Sequence, residues 1–126
     1  MLAKKKMRRK VDLEDRLVKY SSEVMLLSEK LQSTKAGIHL GGQLLRSGTA
    51  PALLYGEAQG AESREDFIHK MKIALKELKE TRICLKLIAR NRMVESAEDI
   101  SRENEELIAI FYTSIETAKR NKNSTR

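Results

Sequence analysis

Asp66 and His69 stand three residues apart in "EDFIH", a carboxylate and an imidazole at a spacing that puts both on one side of a helical turn. In a four-helix bundle that spacing serves di-iron chemistry, where two Glu-x-x-His pairs and two further carboxylates all point inward. The chain offers one such imitation and no second copy. At about 100° per residue, both side chains project roughly 100° or more from the seam of Phe67, Met71 and Leu78. They face away from any buried metal, so neither a metal nor another cofactor is expected.

A second stretch, "SGTAPALLYGEAQGAES", holds the only proline and three of the six glycines. A phosphate-binding loop would carry G-x-x-x-x-G-K-[ST] after a strand, and no lysine stands at that place here. A nucleophilic loop would need a base and an orienting partner for Ser47 or Thr49, and nothing ties His39 or His69 to those hydroxyls. The remaining reading is a joint. Pro51 removes a backbone donor and presses its ring toward the Ser47 carbonyl, so a helix crossing it is expected to kink. Small residues from Ser47 to Ala52 would let a neighbouring helix come close. No enzymatic activity and no small-molecule substrate are expected.

The elements that position these residues are helical. Leu, Lys, Glu, Ala, Ile and Arg dominate the 126 residues, and tryptophan is absent. From Asp12, apolar residues recur at Leu13, Leu17, Tyr20, Val24, Leu27 and Leu31, a single stripe of a helix. A second helix is expected over 35–59, with Ile38, Leu40, Leu44 and Leu45 inward and a bend near Pro51. Ser63 and Asp66 form an S-x-x-D start for a third, whose seam is Phe67, Met71, Ala74, Leu78, Thr81, Leu85 and Ile88. The fourth starts at Ser96, with Ile100, Asn104, Leu107, Phe111, Ser114 and Ala118 as its seam. Short connections imply an all-α, antiparallel up-down-up-down four-helix bundle. Two long hairpins exchanged between chains fit the same pattern.

The net charge of +7 is unevenly placed. "KKKMRRK" supplies six cations and "KRNKNSTR" four, while residues 11–118 carry 15 Lys and Arg against 18 Asp and Glu. Residues 1–11 and 120–126 therefore read as basic tails, disordered when unbound, on a bundle spanning 12–119. One cysteine, Cys84, excludes an internal disulfide, and no apolar run is long enough to span a membrane. A cytoplasmic protein is expected, with Cys84 a small packing residue.

Residues 43–88 resemble the four-helix bundle proteins first noticed as products of intervening sequences in bacterial 23S ribosomal RNA genes. The resemblance rests on Ser47, Pro51, Ala52, Glu57, Ala58, Ser63, Asp66, Phe67, Lys70, Ile73 to Glu77, Glu80 and Thr81. The chain departs from the family pattern at Leu53 and Leu54, where an Asn often follows Pro-Ala, and at Ile83 and Cys84, where an aromatic pair often stands. The resemblance implies an antiparallel bundle, often a homopentamer, without established enzymatic activity and with a suggested nucleic-acid association.

Candidate nucleic-acid contacts fall in three groups. Lys4, Lys5, Lys6, Arg8, Arg9 and Lys10 lie in the first tail, and Lys119, Arg120 and Lys122 in the second. The bundle topology brings both tails to one pole beside Gly56–Ser63, where they would form a basic rim for RNA or DNA phosphates. On the third helix, Lys72, Lys76, Lys79, Lys86 and Arg90 fall within about 80° of one another. That stripe reads either as a solvated face laced by Glu77 and Glu80 or as a phosphate-contacting surface. Val18, Met25, Ile73, Ile83 and Leu87 lie off their seams, so the first and third helices are expected to form a homo-oligomer interface. A protein–protein adaptor is the competing function.

Overall fold

The computed structural model describes the backbone of residues 2–124 and the side-chain surroundings of residues 13–121. The described residues form four helices and no strand: α1 (Leu2–Glu29), α2 (Lys35–Gln59), α3 (Arg64–Arg90) and α4 (Glu98–Ser124).

Their ends follow from local hydrogen bonding. Thr34 Oγ1 accepts from the Gly37 amide (2.9 Å) and Ser63 Oγ from the Asp66 amide (3.0 Å), each satisfying a donor the first turn would leave bare. Glu65 and Asp66 add negative charge at the positive end of α3. α4 starts two residues later than the sequence suggests, with Ser96 Oγ receiving the Glu98 amide (3.3 Å). α1 starts at Leu2 rather than Asp12, because residues 2–11 are mostly strong helix formers with no breaker among them. α3 closes with Met93 N–H on the Ile88 carbonyl and Arg92 N–H on the Ala89 carbonyl, both 3.1 Å. This Schellman closure needs a left-handed residue, and Arg92 takes that place at φ 51°.

Contacts fix the helix directions. Along α1, Val24, Ser28 and Leu31 approach Gly48, Gly41 and Gly37 in turn, so α1 and α2 run in opposite senses. Arg46 meets Glu77 while Glu57 meets Lys70, which reverses α3 against α2. Arg16 meets Glu103, whereas Leu27 and Lys30 share a depression with Ala97 and Ile100, which reverses α4 against α1. Four amphipathic stripes thus close on a core that includes Leu17, Val24, Leu44, Met71, Leu78, Ile88, Leu107 and Phe111. Tyr55 and Phe111 meet edge to face inside it, 6.2 Å between ring centres.

α2 corrects the seam read from the sequence. Ile38 and Leu45, expected inward, are exposed, while Gly37, Gly41, Ser47, Gly48 and Pro51 line the inner side with Leu44. Small residues occupy this face because α1 lies against it: a Cβ on Gly48 would stand 2.6 Å from Val24 Cγ1. The helix continues through the buried Pro51 from Lys35 to Gln59. In α4, Ile115 is buried where the seam pattern points to Ser114, and Ser114 is half-buried. Cys84 is buried, consistent with a packing role.

A polar layer crosses the core with one side chain from each helix. Tyr20 donates to Asn104 Oδ1, and Asn104 Nδ2 donates to the Leu78 carbonyl (3.1 Å). Thr81 Oγ1 lies 2.8 Å from Ser47 Oγ and 2.9 Å from the Glu77 carbonyl. One hydroxyl carries one proton, so Thr81 donating to the carbonyl and accepting from Ser47 satisfies both groups. Tyr20, Ser47, Thr81 and Asn104 are almost wholly buried. Burial pushes the Tyr20 phenol well above its ordinary pKa.

Candidate nucleic-acid interface

Steps of seven residues put Lys72, Lys79 and Lys86 on one stripe of α3, with Lys76 and Arg90 one helical turn from its members. All five are exposed. The span from Lys72 to Arg90 is roughly 27 Å at the rise of an α-helix.

Glu77 and Glu80, which would have laced this face, are engaged elsewhere. Arg46 of α2 holds Glu77 (3.0 Å) and also pairs with Glu80. Arg82 turns to Glu105 of α4 (3.4 Å) and Lys70 to Glu57 (2.9 Å). Arg16, Arg102 and Lys119 likewise face carboxylates. Among the described residues, none of the five stripe cations has an ion-pair partner within 4.0 Å. A cation with no carboxylate to give up takes a phosphate oxygen at little cost.

The two termini share a pole as far as the described residues reach. Ala118 and Asn121 border the same depression as Ala61, Ser63 and Phe67, and Glu14 is near enough to Tyr55 to add to the rise that burial gives its phenol pKa. Lys119 pairs with Glu116 (3.4 Å) and Arg120 reaches Thr117 Oγ1 (3.5 Å). The side chains of Lys4, Lys5, Lys6, Arg8, Arg9, Lys10 and Lys122 lie outside the described residues. The turn at this pole also carries Glu57, Glu62, Glu65 and Asp66, so its described charge is mixed.

The apolar candidates divide between two faces. Val18 (55%) and Met25 (51%) are exposed on α1. Going round α1 from Tyr20, which faces α4, through Val24 and Ser28, which face α2, their stripe comes next. Going round α2 from Ser47, which faces α3, through Gly48 and Gly41, which face α1, the next stripe holds Ile38 and Leu45. Both stripes therefore border the α1–α2 seam, and both are exposed. Ile83 and Leu87 are exposed on α3 within the cationic face, and Ile73 is half-buried. A contact between copies built on Ile83 would bury Lys79 and Lys86 with it.

His69 and His39 are exposed, and Asp66 is half-buried in the capped first turn of α3. Among the described residues no three metal-ligating side chains converge. Among the same residues, no helix is long and apolar enough to cross a membrane. An open depression at the α3–α4 loop is lined by Ala89, Met93, Val94 and Ala97 together with Arg92, Glu95, Ser96, Glu98 and Ser101.

Two features escaped the sequence. Tyr20, Thr81 and Asn104 are legible as seam positions, but their union with Ser47 in one layer is not. The exposed stripe of α2 reads as core. Three polar residues on otherwise apolar seams are the available signal for the first; three glycines on one side of α2 are the signal for the second.

A family model described as "23S rRNA-intervening sequence protein" matches residues 9–113. The chain belongs to this family. Its members' fold is also seen in the crystal structure of a protein of unknown function from the S23 ribosomal protein family of Bacteroides thetaiotaomicron. That protein is 32% identical and superposes with a TM-score of 0.76, over 81% of this chain and 96% of the other. Nothing among curated proteins matches the chain. The family match covers α2 and α3 and reaches into α1 and α4, beyond the central segment that carries the resemblance in the sequence.

Proposed function

We propose that the protein is a non-enzymatic, self-associating bundle that binds RNA or DNA through its phosphates, in the cytoplasm. The observation that carries the reading is the row of five exposed α3 cations left without acidic partners while Glu77 and Glu80 pair with Arg46. Cations already held by carboxylates must break those pairs to take a phosphate; these need not. The tail cations add reach and charge from one pole. Contacts of this kind give steep salt dependence and little sequence preference.

Fluorescence anisotropy with labelled RNA and DNA oligonucleotides tests the reading. Replacing Lys72, Lys79 and Lys86 by Gln is expected to weaken binding more than tenfold with the oligomeric mass unchanged. Deleting residues 1–10 is expected to weaken it further. Binding that survives both changes undiminished overturns the proposal.

A second reading, a protein–protein adaptor, is favoured by the apolar face of α1 and α2. Val18, Met25, Ile38 and Leu45 flank one seam as exposed apolar side chains, the kind of grouping that marks an interaction surface. The same face serves self-association in the leading reading, in which copies join through α1 and α2 and leave the cationic α3 outward. A pentamer follows from the family resemblance rather than from this face.

A further inference from the structure

Tyr112 is exposed over 57% of its surface, whereas Tyr20, Tyr55 and Phe111 are in the core and Phe67 is half-buried. Its position follows from the pairing of Arg82 with Glu105 (3.4 Å). Tyr112 lies seven residues after Glu105 on α4, and Leu75 lies seven before Arg82 on α3. The helices run oppositely along this seam, so two turns further on Tyr112 occupies the edge that faces Leu75. Lys72 precedes Leu75 by three residues, as Lys79 precedes Arg82, and each is displaced toward the outer face of α3. The one exposed aromatic among the described residues therefore borders the half of the cationic stripe formed by Lys72, Lys76 and Lys79.

An exposed ring beside unpaired cations is the pairing that sequence-tolerant single-strand binders use. The cations track the backbone, and a base released from pairing stacks on the ring. A duplex keeps its bases covered and gains only the phosphate contacts. The carboxylates of an acidic peptide would meet the cations but bring no base to stack on the ring. We propose that Tyr112 is a stacking platform for an unpaired base of an RNA or DNA segment whose phosphates are held by Lys72, Lys76 and Lys79. This rests on the phosphate-binding function proposed above and adds the preference for single strands.

The chain has three tyrosines and no tryptophan, so its intrinsic emission reports on tyrosine, and only Tyr112 is exposed to a ligand. A single-stranded oligonucleotide is expected to quench part of that emission, and a duplex of the same sequence is not. Tyr112→Ala is expected to weaken single-strand binding roughly tenfold and leave duplex binding unchanged, while Tyr112→Phe keeps the affinity. If the unaltered protein binds the single strand and Tyr112→Ala binds it equally, the stacking role is overturned and phosphate binding stands. If the unaltered protein binds no oligonucleotide at about 50 mM salt, both fail together. Competition by polyglutamate at equal charge concentration, as effective as the oligonucleotide, would assign the surface to an acidic protein instead.

Discussion

The hydroxyls of Ser47 on α2 and Thr81 on α3 lie 2.8 Å apart in the centre of the bundle, one turn before Pro51. Pro51 has no N–H to give the Ser47 carbonyl, so small polar groups gather where the α2 ladder is interrupted. Thr81→Val should leave the Ser47 hydroxyl without its cross-helix partner at a cost of about 1–3 kcal/mol. The double variant with Ser47→Ala should be more stable than the sum of the single losses implies. Urea unfolding of the four proteins measures this, and strict additivity would mean the hydroxyls do not interact.

Tyr20 gives the bundle a stability that depends on alkaline pH. Its phenol stays protonated in the fold well above the ordinary value of 10.0 because it is buried. Above about pH 10 the unfolded chain loses this proton first, so the folded state binds more protons and stability falls as pH rises. The slope approaches about 1.4 kcal/mol per pH unit for one group. Tyr20→Phe should flatten the decline between pH 10 and 11, leaving the parts owed to Tyr55 and Cys84, whose pKa values burial also raises, and to Lys70, raised by its hydrogen bond to Glu57. A slope equal to that of the unaltered protein would mean Tyr20 titrates normally.

Glycine substitutions should divide by position. Gly48→Ala meets Val24 Cγ1 at 2.6 Å and Cγ2 at 2.8 Å. A β-branched side chain in a helix has little freedom to yield, so the variant should melt lower despite alanine's better helix propensity. Gly42 has nothing within 4 Å of an added Cβ, and Gly42→Ala should gain about 0.5–1 kcal/mol. Arg92→Gly should also stabilise, by up to about 1 kcal/mol, since Arg92 holds φ 51° at the end of α3. Thermal melts of the three variants check the signs.

These outcomes also bear on how much can be read from the residues alone. α1, α3 and α4 bury large apolar side chains at helical spacing, so Leu17, Val24, Met71, Leu78, Leu107 and Phe111 are legible as core. The Ser63 start is legible because a hydroxyl three residues before an acidic first turn has one strong use. α2 is not: its inner face is made of Gly37, Gly41, Ser47, Gly48 and Pro51, and hydrophobicity alone points its large side chains the wrong way. The five α3 cations are legible as a stripe. Their lack of partners is not, because it depends on Arg46, which reaches Glu77 and Glu80 from another helix.

The apolar face of α1 and α2 should hold copies together. Met25→Glu and Leu45→Glu place a charge on each side of the seam where both residues are exposed, so neither disturbs the core. Light scattering should give a mass above one chain for the unaltered protein and a shift toward one chain for either variant. A single-chain mass without any substitution would remove self-association from the account.

If α3 presents cations free to take up phosphate, the salt dependence of binding must report it. The logarithm of the affinity for a single-stranded oligonucleotide should fall linearly with the logarithm of salt concentration. Replacing Lys72, Lys79 and Lys86 by Gln should make that slope shallower by about 2, near 0.7 for each phosphate no longer neutralised. A slope and affinity identical to those of the unaltered protein would contradict the claim.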